Sequence, residues 1–276
     1  MDFKRVEGIF LIVFLFLNMF LYYVYQEGKS EQNVASTGSI SENIEGRLRS
    51  DGITLPHSLS EKVQQGYYLS AEEGDLVTAA KEQLEGQEWH VYDDQLVSDL
   101  ALNTQVTVDD KNEMKQVKAF VNKKSNVIQG ATYELNKHQS ESGSNYIFNQ
   151  EWEGLPIYDE TSQLNVYLET LESGERSIVS YDQTRLSNIE PLRDPQNLIS
   201  EREALISLYT NNRLQAGDKV KWIDLGYTRI FTVREKNVYI PAWFIAVENS
   251  KSSVQVERVN AFSNTIISTN VSEVKN

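Results

Sequence analysis

The chain has 276 residues, a formal net charge of −14 and no cysteine. Such acidity disfavours nucleic acid, teichoic acids and anionic lipid headgroups as partners, since like charges repel on approach. An exported domain without disulfides must be held by an ordinary core, which fits a bacterial exterior lacking an oxidising periplasm.

At the amino terminus, every residue from Ile9 to Tyr25 is apolar or aromatic except Asn18. As a helix, residues 6–25 would be about 30 Å long, the thickness of a bilayer's hydrocarbon core. Lys4 and Arg5 precede the run, and the next cation is Lys29. That asymmetry predicts a cytoplasmic tail over 1–5, a transmembrane signal-anchor over 6–25 and an extracytoplasmic remainder. A cleaved signal peptide is the competing reading. It needs a shorter apolar region ending in a small-residue site. Here the run ends in Tyr22, Tyr23 and Tyr25, and the nearest such site, Val34–Ser36, lies too far downstream. The expected location is the cell membrane, with a single pass.

Asn18 within this span needs a hydrogen-bond partner. Its own helix backbone could serve, or a neighbouring helix at about 0.5–2 kcal/mol. Phe14, Leu15, Leu21 and Tyr22 share its face by i±3 and i±4 spacing. These five residues are the candidate contacts with a membrane partner.

Residues 26–50 are polar and read as a linker or a weak juxtamembrane helix. Folded material is expected from Asp51. "EGDLVTAAKEQL" (73–84) reads as a first helix. In "DDKNEMKQVKAFVNKKS", Asp110 and Glu113 suggest a capping box, and Met114, Val117, Phe120 and Val121 recur at helical spacing. "NYIFNQEW" (145–152) follows with strand character. Next, Leu164, Val166 and Leu168 alternate with Asn165, Tyr167 and Glu169, and "ESGE" supplies a hairpin turn. The pattern then recurs. Ser200 and Glu203 open a helix whose face is Ala204, Leu205, Leu208 and Tyr209. Strands follow in "VKWIDLGYTRIFTV", "VYIPAWFIAVE" and "VQVERVNAFSNTIIS". The expected fold is α+β, with two helix-plus-antiparallel-sheet units over 51–190 and 191–276 and "IEPLRDPQN" at the boundary.

Chemistry-bearing motifs are sparse. There is no cysteine, G-x-S-x-G elbow or P-loop. An S-x-x-K string at Ser272–Lys275 falls on the last residues of the chain, where no pocket is expected. His57, His90 and His138 are far apart in sequence. On a strand, Glu88, His90 and Tyr92 share a face with Asp94 beyond; this could be a metal set, but reads equally as a solvated face, the reading taken. Trp89, Trp152, Trp222 and Trp243 could form a sugar-stacking platform; core and contact roles are preferred. No catalytic residue, cofactor or metal is expected.

A five-residue tail cannot carry an enzyme or relay a signal inward. The chain is expected to act outside the cell, or laterally on another membrane protein. The opening "MDFKRVEGIFLIVFLFLNMFLYY", with "YDQTRLSNIEP" (181–191), "LISEREALISLYTNNRL" (198–214), "GDKVKWIDLGYT" (217–228) and "YIPAWFIAVENS…VERVNAF" (239–262), resembles the YycI (WalI) family. The resemblance implies a membrane-anchored regulator of the WalK–WalR (YycG–YycF) two-component system. It also implies an ectodomain of α+β units shared with a YycH-like partner, contact with a WalK-like sensor histidine kinase, and no catalytic residues. The ending "YIPAWFIAV…VNAFSNTII" is similar to a PepSY-type strand pair. Rival readings are a PepSY-like ligand-binding or protease-inhibitory module without a kinase partner, and an anchored wall hydrolase.

Overall fold

The computed structural model describes residues 11, 13–22, 44–109, 111–234, 236–267 and 272–273. Residues 13–22 are helical. The folded body opens with helix α1 (Ile44–Ser50), strands β1 (Gln65–Gly66) and β2 (Leu69–Glu73), and helix α2 (Leu76–Gln83). Strands β3 (Gln87–Tyr92), β4 (Gln95–Leu100) and β5 (Val106–Val108) lead to helix α3 (Glu113–Val121). Then come β6 (Tyr133–Leu135), β7 (Asn145–Trp152), β8 (Leu155–Pro156), β9 (Gln163–Thr170), β10 (Arg176–Gln183), β11 (Leu186–Pro191) and β12 (Gln196–Asn197). Helix α4 (Glu201–Thr210) precedes β13 (Lys219–Val233), β14 (Lys236–Glu248), β15 (Val254–Asn260) and β16 (Ser272–Glu273). The chain is thus the mixed α+β protein expected, with antiparallel sheets.

One sheet has the order β3-β4-β10-β9-β7-β6, with β5 also on β10 and β8 on β7. Its core gathers Leu96, Phe148, Leu164, Val166, Ile178 and Tyr181 under α2 and α3. The period-two reading of β9 holds: Leu164, Val166 and Leu168 are buried while Tyr167 and Glu169 face out. The turn into β10 closes through Leu171 N–H donating to Glu175 O, with Gly174 at φ +85°.

The second sheet runs β11-β2-β14-β13-β16, with β15 also on β14. Strand β14 is its spine. One edge pairs with β13 throughout; the other pairs with β2 from Lys236 to Tyr239 and with β15 from Ala242 to Glu248. Pro241, which has no N–H, falls between those two segments, where the ladder is already interrupted. Helix α4 packs Ala204, Leu205 and Leu208 against Ile223, Trp243 and Ile245 of this sheet.

The sheets do not divide the chain at residue 190. Strands β2 and β11 pair with each other in the second sheet, from Leu186↔Glu73 to Pro191↔Leu69. The first sheet is therefore carried between two strands of the second. Alternation marks a strand but does not say which sheet it joins. The linker reading of 26–50 also stops short of α1, because Ile44 and Leu48, one helical turn apart, are buried in the second core.

The two longest helix starts differ from one another. At α4 the capping box forms: Glu203 N–H donates to Ser200 Oγ at 3.3 Å, and Ser200 N–H donates to Glu203 Oε2 at 2.7 Å. At α3 it does not. Asp110 lies outside the described residues, Asn112 occupies the N-cap position without a side-chain cap, and Glu113 points into the protein. Because Glu113 lies one turn before Val117, it takes the inward place expected of Met114, which is exposed.

Candidate partner-contact surfaces

The helix at residues 13–22 puts every large apolar side chain in the open: Phe14, Leu15, Leu21 and Tyr22 are all at least 54% exposed, and Phe16, Met19 and Phe20 are similar. A helix that is apolar all round must be covered by lipid or by protein. Asn18 Nδ2 donates to Phe14 O at 2.8 Å, one turn back. That local bond satisfies one N–H and leaves the amide capacity for one further donor bond and an acceptor bond. The five candidate contacts thus lie on one described helix. Among the described residues no helix is long and apolar enough to cross a membrane. Residues 6–10, 12 and 23–25 of the expected span lie outside the described residues.

Below that helix the chain is strapped to the second sheet's helix layer. Ile44, Leu48 and Ile53 enter its core. Tyr209 Oη donates to Asp51 Oδ2 at 2.7 Å, near the carboxy end of α4. At the other end Glu201, nearly buried, holds His57 Nε2 at 2.5 Å and accepts from Ser60 N–H at 3.2 Å. Force applied at residue 44 would therefore reach α4 through packed side chains.

A seam joins the two sheets. Tyr158 N–H donates to Tyr227 O at 2.9 Å, and Thr161 Oγ1 shares a 2.6 Å bond with Tyr239 Oη. Gly226 permits this approach, since a Cβ there would stand 2.8 Å from both Pro156 O and the Tyr158 ring. His138 stacks on Trp222 with centroids 4.4 Å apart and bonds Asp224 Oδ2 at 2.9 Å. Tyr158 Oη also donates to Asp224, and burial followed by that carboxylate pushes its phenol pKa upward, so it stays a donor. Neither His138 nor Asp224 had a local signal; only the sheet-to-sheet approach brings them together.

The remaining singled-out residues disperse. Glu88, His90 and Tyr92 form the exposed face of β3, and Asp93 and Asp94 make its turn at positive φ. Trp89 packs on the first core, Trp152 on the junction beside Tyr67, and Trp243 on the second core with Nε1 donating to Ile199 O at 2.9 Å. They form no common platform with Trp222. Of the S-x-x-K string, Ser272 and Glu273 pair in parallel with Phe231 and Thr232, while Val274 and Lys275 lie outside the described residues.

A family model described as YycI protein matches residues 31–262, most of the chain and nearly all of the folded body. The chain belongs to the YycI family. That family is a regulatory one, associated with the WalK/YycG two-component system, and is not defined by an enzymatic activity. No curated protein matches the chain. Among solved structures, the crystal structure of an uncharacterized protein from Eubacterium rectale ATCC 33656 aligns with 75% of this chain and 87% of its own, at 9% identity and a TM-score of 0.39. At that level the likeness carries nothing about function.

Proposed function

We propose that this chain is a non-enzymatic, membrane-anchored regulator that modulates a WalK-like sensor histidine kinase through membrane-helix and extracytoplasmic contacts, together with a YycH-like partner. Membership of the YycI family carries this reading. Supporting it are the wholly exposed apolar helix at 13–22 and the close packing of α1 beneath α4. The helix is both tether and contact surface. From Ile44 onward the chain is fixed to the ectodomain through Ile44, Leu48 and the Asp51–Tyr209 bond.

Replacing residues 6–25 by an unrelated single-span helix of equal length keeps tethering and export but erases the contact face. The expected result is altered kinase-dependent transcription at unchanged ectodomain abundance, with loss of crosslinks from the anchor to the kinase. Asn18→Leu should shift transcription in the same direction but less, since one interhelical bond contributes only about 0.5–2 kcal/mol. Unchanged transcription and crosslinking after the helix swap would reduce the helix to a tether and remove the kinase reading of its surface.

A further inference from the structure

We propose that the cleft between the two sheets is a binding site for a neutral mono- or disaccharide. Its floor is the outer face of the second sheet. Register places Trp222, Ala246 and Val256 side by side in one row, and Asp224, Phe244 and Arg258 in the next. The alternate residues Ile223, Trp243, Ile245 and Val259 point the other way, into the core under α4. Over this floor stands one edge of the first sheet, which brings Asn136 and Gln139 from the β6–β7 loop, Asn149 from β7 and Gln163 from β9 to its rim. The cleft is open to solvent and has a volume of about 350 Å³, at the small end of ligand pockets and enough for one or two sugar rings.

The walls contain uncommitted hydrogen-bonding groups. Asn136 Nδ2 donates to Asn149 Oδ1 at 3.0 Å and to Gln139 Oε1 at 2.9 Å. Asn149 accepts this bond through Oδ1 and directs no side-chain donor bond to another described residue. Gln139, which is exposed, has a free Nε2, and neither side-chain atom of the half-buried Gln163 is bonded among the described residues. Open amide donors that line a cleft can bond a ligand that accepts.

Charge and shape narrow the class. The ionic groups around the cleft already answer one another: Arg229 meets Asp159 at 3.4 Å and Glu160 at 2.7 Å, and His138 meets Asp224. Arg258 donates to Thr228 Oγ1 at 3.0 Å. Arg258 has no carboxylate partner among the described residues, but the chain's net −14 repels anions and so favours a neutral ligand. What remains is planar amides beside aromatic rings. Trp222 is held by the His138 stack, and Phe244 by an edge contact from Tyr158 at 4.9 Å. Phe244 is nearly buried, so the half-buried Trp222 is the ring that meets the apolar C–H face of a pyranose while the amides bond its hydroxyl or acetamido groups. The inference does not rest on the kinase reading.

The test uses the full-length protein in a non-glycosidic detergent, with N,N′-diacetylchitobiose, cellobiose and maltose as probes and tri-alanine as the peptide comparator. Saturation-transfer NMR and calorimetry should show saturable binding of at least one disaccharide. Trp222→Leu and Gln163→Leu should each weaken it about tenfold, while Leu102→Ala, on an exposed turn remote from the cleft, leaves it unchanged. Gln163→Leu removes no hydrogen bond from the free protein, so its thermal melting should match the parent. It decides the matter alone if Trp222→Leu unfolds. The proposal is overturned if no disaccharide binds, if Gln163→Leu binds as well as the parent, or if only tri-alanine binds.

Discussion

Helices α3 and α4 occupy corresponding places on their sheets, yet they begin by different means. Helix α4 starts from four consecutive residues, Ser200 to Glu203, which satisfy each other's backbone groups before any sheet is present. The start of α3 depends on residues about thirty and sixty positions away. Glu113 Oε1 accepts from Tyr146 Oη at 2.5 Å, Gly143 N–H at 2.7 Å and Ser142 Oγ at 3.1 Å, while Oε2 meets Arg176 at 2.8 Å. A buried carboxylate with that many donors holds the β6–β7 loop and β10 against the helix. The same residue type three positions after a capping candidate thus did local work in one helix and tertiary work in the other.

Substitutions can break this comparison in graded steps. The largest effect is expected at Leu208, fully buried beneath α4. Leu208→Ala should cost roughly 2–5 kcal/mol in a urea melt, and a smaller loss would mean that the site collapses around the gap. Glu113→Gln should cost about 2–3 kcal/mol, because Arg176 loses its carboxylate and one amide cannot serve every donor. That figure stays below the range for fully buried pairs since Arg176 is a quarter exposed.

Ser200→Ala should cost only about 1 kcal/mol, the ordinary value of a lost N-cap. If it equalled Glu113→Gln, the contrast between a local and a tertiary helix start would fail. Met114→Ala, on the outward face of α3, should stay within about 0.5 kcal/mol of the parent.

A pH series sharpens the α3 side. Burial, and then the hydrogen bond to Glu113, raises the Tyr146 phenol above its ordinary value of 10.0. The folded state therefore holds this proton more tightly than the unfolded chain. The associated stability is complete below pH 10 and is lost as pH climbs through the raised folded value. Removing the carboxylate in Glu113→Gln removes one raising cause, so the alkaline loss attributable to Tyr146 should shrink relative to the parent when stability is followed by urea melts at stepped pH. No change in that alkaline limb would separate Tyr146 from Glu113.

What the sequence by itself determined was everything with a short range. The alternation in 163–170, the turn at 172–175, the capping box at Ser200 and the buried face of α4 each follow from residues within a few positions of one another. The all-apolar stretch around Asn18 is equally local, and so is the amide's bond to Phe14 one turn back. Only the tertiary structure decided that β2 leaves the unit it borders to join β14 and carries β11 with it, because every strand presents the same unpaired backbone and the choice lies in packing across more than a hundred residues. It also decided that Glu113 turns inward, that α1 is core and not linker, and that His138, Trp222 and the cleft amides meet. Short-range hydrogen bonds and periodicity are written in neighbouring letters; a site made where two sheets approach is not, since its members share a surface and no local pattern.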